Sequence, residues 1–167
     1  MLSVTLKDHY RLIKNNFLYI GLYIAFVVFA FFKQFNHYEI SIIATSIFIF
    51  AFLSPSIYLH WTYYTQAKDM SIKISENLLE VYYKDKKERS ITKEDIVKID
   101  LYMSASNIEY GYSLGGYTWE EYNYAIIKTI NDDILINNLL YPEIGSLNRY
   151  FQENKMSYHK RLFAILP

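Results

Sequence analysis

The chain reads as a membrane α-helical hairpin followed by an α+β domain, an antiparallel β-sheet or partial barrel with one C-terminal helix. Three observations carry this. Two long apolar runs stand near the N-terminus, with only the seven residues Lys33–Glu39 between them. Almost all formal charge lies after residue 65. After Ala67 the apolar period changes from helical to alternating.

Whole-chain averages conceal this division: 17 basic and 17 acidic residues in 167, and a mean hydropathy of +0.00. Residues 1–65 carry Lys7, Arg11, Lys14 and Lys33 against Asp8 and Glu39, a net +2, and the remaining 13 basic and 15 acidic residues give −2. Such a step marks a change of solvent as well as of domain, here residues 1–67 and 68–167. The balanced distal part offers no concentrated basic face, so nucleic acid is not an expected partner. The absence of cysteine excludes disulfides, thiolate metal sites and a cysteine nucleophile, and leaves the compartment open. Tyrosine (18) and phenylalanine (11) suit membrane interfaces and strands alike, and do not separate them.

Thr5-Leu-Lys-Asp8 has the form of a capping box, with Asp8 reaching back to Thr5. Leu6, Tyr10 and Ile13 then recur at helical spacing, which predicts a short interfacial helix running into the first span. From Asn15 to Phe32 there is no charge, and as a helix this run rises about 27 Å, near the thickness of a bilayer's hydrocarbon core. Apolar residues cover every face, unlike a soluble amphipathic helix. The expected spans are about 17–32 and 40–65, the second ending in the aromatic cluster Tyr58, Trp61, Tyr63 and Tyr64. A link so short makes the helices antiparallel neighbours. A buried soluble hairpin would need more covering chain than the distal part supplies, and no small-x-small cleavage site follows the first run. Basic residues before the first span, and Lys68 and Lys73 after the second, predict both termini in the cytoplasm. Pro55 between Ser54 and Ser56 is a kink candidate, with the serines able to re-satisfy freed carbonyls.

In the distal domain Ile72 and Ile74 share a face, as do Leu79, Val81 and Tyr83, and Val97, Ile99, Leu101 and Met103. Glu76-Asn77 and Lys84–Arg89 read as turns. Further strands are expected over Tyr122–Ile130 and Ile134–Asn138, turned by Asn131-Asp132-Asp133. Pro142 suits a first helical position, and Ile144, Leu147 and Phe151 line a helix to about Gln152. Ser104–Glu121, with Gly111, Gly115 and Gly116 among aromatics, is either a long hairpin turning at Leu114-Gly-Gly116 or a loop. The tail Lys160–Pro167 is basic, then apolar, and lies against either membrane or domain.

The element Thr5-Leu6-x-Asp8-x-Tyr10, the two adjacent spans and Ile91-Thr-Lys-Glu-Asp-Ile-Val-Lys-Ile-Asp100 resemble the YcxB-like membrane proteins of bacteria. Those resemble, in turn, bacterial pleckstrin-homology-like (PH-like) domains. Ile91–Asp100 is similar to the family's I-P-W-x-D-I-x-x-I, with Thr92 and Lys93 where proline and tryptophan often stand. Where the family often has an Ile-Pro-Lys-Arg-type segment before its last helix, this chain has Leu139-Leu-Tyr-Pro142, so no basic ligand contact carries over there. The resemblance runs in order along most of the chain. It implies a PH-like fold for residues 68–167 and a multi-pass protein of the bacterial inner membrane, and brings no catalytic residues.

No catalytic, cofactor-binding or metal-ligating residues are predicted. His9, His37, His60 and His159 are far apart in sequence and lack metal-site spacing. Gly111-x-x-x-Gly115-Gly116 lacks the Lys-Ser/Thr of a phosphate loop. Asp132-Asp133 and Glu120-Glu121 read as solvated turn or strand-edge carboxylates. Two sets are binding candidates. Tyr117, Trp119 and Tyr122 form an aromatic partner or membrane surface, against a plain tyrosine-rich strand face. Lys84, Lys86, Lys87 and Arg89 are candidates for anionic-lipid contact, each worth about 1 kcal/mol at a charged leaflet, against a solvated turn. The expected role is a membrane-anchored, non-enzymatic binding or scaffolding module, its partners the bilayer and a protein or second copy, with no small-molecule substrate identified. The alternative is a resistance or immunity factor protecting its membrane against a membrane-active toxin. A transporter component would place ionisable residues within its spans, where only His60 qualifies.

Overall fold

A computed structural model describes residues 1–33, 38–75, 77–110, 117–151 and 153–167. Strand β1 (Leu2–Ser3) leads into helix α1 (Leu6–Lys33), and helix α2 (Tyr38–Ala67) returns antiparallel to it. Asp8 reaches back as expected, accepting from the Thr5 N–H at 3.0 Å, but the reciprocal half of the capping box is replaced: the Thr5 hydroxyl donates to the same carboxylate. The expected interfacial helix and the expected first span are thus one 28-residue helix. Contacts step along the helices in opposite directions, through His9–His60, Asn16–Ser56, Tyr19–Phe52 and Tyr23–Ser46. Helix α2 continues through Pro55, but Ser56 accepts a hydrogen bond from Asn16 across the hairpin. Only 11% and 17% of the most apolar window of each helix is buried, so the domain does not enclose the hairpin. Phe17, Leu18 and Leu22 on α1, and Ile43, Phe48 and Phe50 on α2, face outward.

Seven further strands follow: β2 (Met70–Ile74), β3 (Leu78–Tyr83), β4 (Lys86–Thr92), β5 (Ile96–Met103), β6 (Tyr124–Thr129), β7 (Asp133–Asn137) and β8 (Met156–Lys160). They form two four-stranded sheets, β1-β2-β3-β4 and β7-β6-β5-β8. All pairs are antiparallel except β5–β8. Because Leu2 pairs with Ile72 and Ser3 with Ser71, the hairpin leaves from and returns to one sheet.

Several sequence expectations shift for local reasons. The basic turn is only Lys84-Asp85, both at positive φ (47° and 62°), as in a two-residue type I′ hairpin, and Lys86 already starts β4. Val97, expected inward, is 59% exposed because the ladder slips between Ile96 and Lys98, and Ile96 takes the buried place. Tyr83 turns outward after a similar slip at Val81/Tyr82. Ala105–Tyr110 forms a helix, α3, which neither reading of Ser104–Glu121 contained. The expected turn at Leu114-Gly-Gly116 lies outside the described residues, as do Glu76, the middle of the interhelical link and the expected helix end at Gln152.

The expected C-terminal α-helix is replaced. Ile144–Arg149 is a 3-10 segment with non-helical geometry at Ser146, and Glu153–Lys155 is another, leading into β8. Gly145 and Asn148 are weak helix formers, and a 3-10 turn already puts Ile144 and Leu147 on one side. The chain then gains a ladder against β5, with Ile99 opposite Met156 and Met103 opposite Lys160. Ile72, Leu79, Val81 and Ile91 of the first sheet pack with Ile99, Leu101, Ile127 and Ile136 of the second, and Leu140, Ile144, Leu147 and Phe151 complete this core.

Candidate functional site

The first turns of α1, the last turns of α2 and the segments flanking β6 and β7 meet in a second buried cluster. Leu12, Leu59 and Tyr63 of the hairpin pack there against Trp119, Tyr122, Tyr124, Leu139 and Ala164. Here the antiparallel helix register does what sequence distance concealed, bringing His9 Nδ1 to 2.9 Å from His60 Nε2. His60 Nδ1 then lies 3.1 Å from the Tyr122 hydroxyl. A neutral imidazole donates through one nitrogen and accepts through the other, so such a chain can carry its protons in one consistent direction. Ser56 accepts from Asn16 Nδ2 at 3.2 Å, so the two helices are bonded to each other here and to the domain through His60–Tyr122. Burial holds the Tyr122 hydroxyl well above the usual phenol range, so it stays protonated.

Other bonds widen the junction. The Tyr63 hydroxyl donates to the Ala164 carbonyl at 2.7 Å, holding down the C-terminal tail, and its ring meets that of Tyr122 edge-on. Asn137 Nδ2 donates to the Tyr63 carbonyl at 2.9 Å, and the Arg11 guanidinium donates to the Asn138 carbonyl. Asn15 Nδ2 donates to Glu121 Oε1 at 3.3 Å. Burial pushes the Glu121 carboxyl up, while Lys14 and Arg11 pull it the other way.

Beside the junction opens a polar groove of about 850 Å³. Arg11 and Lys14 form its α1 side, Asn107 and Asn123 its floor, and Glu143 and Arg149, paired at 3.4 Å, its rim. A smaller, largely apolar cavity of about 320 Å³ lies between the helices, with His9, Asn16, His60 and Trp61 among its walls. Among the described residues no group of three or more His, Asp or Glu is placed to hold a metal ion.

Two sheets sharing one core, with a hairpin docked on the second, agree with what the family comparison finds: a family model described as PH domain matches residues 3–145. The chain belongs to the PH domain family. No curated protein and no solved structure matches it. The match takes in the hairpin as well as the sheets, and stops before β8.

Within this PH domain the aromatic candidates do sit together. Trp119 (8% exposed) and Tyr122 (1%) are turned onto the chain's own hairpin, and Tyr117, stacked on Trp119 at 4.7 Å, is 45% exposed. Trp119 also lies 5.0 Å from the Phe52 ring of α2. The basic candidates sit on the β3–β4 hairpin of the first sheet. Lys87 is paired with Glu80, Arg89 with Asp132 at 2.9 Å, and Lys84 lies over the Tyr83 ring. The groove residues Arg11, Lys14, Asn107 and Asn123, and the pair His9–His60, were not singled out as a site in the sequence. Only the mirror symmetry of an antiparallel hairpin about its link points to His9 and His60 as neighbours.

Proposed function

We propose that this protein is a membrane-anchored, non-enzymatic binding module of YcxB-like type, whose hairpin crosses the bacterial inner membrane with both termini in the cytoplasm. Its PH domain takes a polar segment of a partner protein in the groove beside the hairpin. The observation that carries this reading is the groove itself. At about 850 Å³ it is large enough for several side chains, and its walls come jointly from α1 and the domain. Arg11, Lys14 and Arg149 against Glu121 and Glu143 give it mixed charge, suited to a segment bearing both signs. The outward apolar faces of α1 and α2 and the basic residues flanking the hairpin support the membrane setting.

A photo-crosslinking residue at Arg149 or Tyr158, in the full chain in native membranes, should give one discrete protein adduct. Lys14→Glu should weaken that adduct. The absence of a protein adduct at both positions overturns the groove as a partner site. Reporter fusions at Asn36 and Pro167 test the topology, and a cytoplasmic signal from Asn36 reverses it.

A further inference from the structure

The docking of the domain on the hairpin fixes how near the bilayer the domain must come. Phe17–Phe32 rises only about 24 Å as a helix, short of a hydrocarbon core of about 30 Å. Everything from Phe17 outward is therefore needed to span, and the hydrocarbon boundary lies no farther along α1 than Phe17. Tyr19 is past that boundary, and its ring lies 4.8 Å from Phe52 of α2, which places Phe52 at the same depth. The domain reaches this level: Tyr117 and Trp119 lie 5.7 Å and 5.0 Å from the Phe52 ring. Phe163 packs 5.2 Å from Trp119 and brings the C-terminal tail to the same place.

Around these contacts stand large apolar side chains that the protein leaves uncovered: Leu162 (67% exposed), Ile165 (50%) and Tyr117 (45%). Lys160, paired with Glu109 but still exposed, and Arg161, whose guanidinium lies 5.4 Å from the Tyr102 ring centre, immediately precede Leu162. On α2, exposed Trp61 lies nine residues, about 13 Å of rise, nearer the domain than Phe52, where an aromatic belt residue belongs.

We infer that the domain is wedged into the leaflet its own hairpin crosses, with Tyr117, Leu162 and Ile165 entering the boundary between headgroups and acyl chains. The occupant of this apolar patch is the lipid itself, because Tyr117 packs on Phe52 of α2 and Leu162 and Ile165 flank Phe163, which reaches the same aromatic cluster through Trp119. The inference rests on the reading that the hairpin spans a membrane.

Since the chain has no cysteine, single cysteines report without background. Full-length Leu162→Cys, Ile165→Cys, Val28→Cys and Ile130→Cys would each carry an environment-sensitive fluorophore in phosphatidylcholine–phosphatidylglycerol vesicles. Nitroxide-labelled lipids serve as quencher. Val28 reports the hairpin, and Ile130, exposed in the β6–β7 turn, reports water. The expected result is strong quenching at Val28, and quenching at Leu162 and Ile165 several-fold above Ile130. Quenching at Val28 with Leu162 and Ile165 no different from Ile130 overturns the wedge and leaves the hairpin reading intact. An unquenched Val28 overturns both. Tail labels shielded from lipid but quenched by a nitroxide on a second copy overturn the wedge in favour of a dimer contact.

Discussion

The core between the two sheets and the junction beneath the hairpin are built of different materials. The first is almost wholly aliphatic, with Ile72, Leu79, Ile99, Leu101, Ile127 and Ile136 all fully buried. The second is aromatic and threaded with polar groups: Tyr63, Trp119, Tyr122 and Tyr124 packed around the chain His9–His60–Tyr122. Apolar burial is large and non-directional, so it holds the sheets together without specifying much beyond contact. Hydrogen bonds contribute less net energy but constrain angle and distance. The sheet core thus supplies stability, and the junction sets the orientation of domain against hairpin. Arg11 Nε, Asn16 Oδ1, Thr118 Oγ1 and Trp119 Nε1 are buried there with no hydrogen bond to another protein group.

The largest effect should come from the core. Leu101→Ala removes a fully buried side chain between the sheets and should cost about 4 kcal/mol, lowering the whole domain's denaturant midpoint in detergent. Trp119→Ala removes more atoms but acts at the junction. It should cost about 3 kcal/mol there and expose the linking segments to protease, while hydrogen exchange in β5 and β6 stays slow. Loss of core protection in Trp119→Ala would erase the distinction between the two regions.

A third measurement asks whether the second sheet also depends on charge. Asp100 is buried on β5, receiving Lys98 at 2.7 Å, His159 at 2.9 Å and Lys128 at 3.2 Å. Burial pushes its carboxyl up, but these hydrogen bonds outweigh burial and bring it from 3.8 to about 2. A carboxyl depressed in the folded state stabilises above its ordinary range and loses that contribution as pH falls through the folded value. Unfolding free energy should therefore drop by up to about 2 kcal/mol between pH 5 and pH 1.5, and Asp100→Asn should remove most of that slope.

What the sequence made legible follows the same division. The hairpin was plain from hydropathy and the reach of Asp8 back to Thr5 from four residues, and the alternating period marked most strands of the core. These signals are local. The β8–β5 pairing joins residues 156–160 to 99–103, with nothing in either segment to announce the other, while Ile144, Leu147 and Phe151 imitate an α-helical stripe. The bulge at Val97 reverses one side chain without disturbing the alternation around it. At the junction, the aromatic cluster stood out by composition, but not that its hidden face is the chain's own hairpin. His9, Arg11 and Asn16 read as ordinary flanking polar residues until the helix register sets His9 and Asn16 against His60 and Ser56, and the docking of the domain sets Arg11 against Asn138.

The smallest change separates the regions most finely. Tyr63→Phe keeps the ring that meets Tyr122 edge-on, and removes only the hydroxyl that donates to the Ala164 carbonyl at 2.7 Å. Ala164 is 3% exposed, so its carbonyl would be left buried without that donor, a cost of about 1 kcal/mol. The loss falls on the tail, because Tyr63 otherwise stays packed among Leu12, Leu59 and Tyr122. Amide exchange in residues 161–167 should quicken, with the core strands unchanged and the denaturant midpoint barely moved. If the domain is wedged in the leaflet as inferred above, the released tail in vesicles keeps a second hold around Leu162 and Ile165, and its exchange should quicken less there than in detergent. Equal acceleration in both media would mean that Tyr63 alone seats the tail, and that the lipid contributes nothing to holding it.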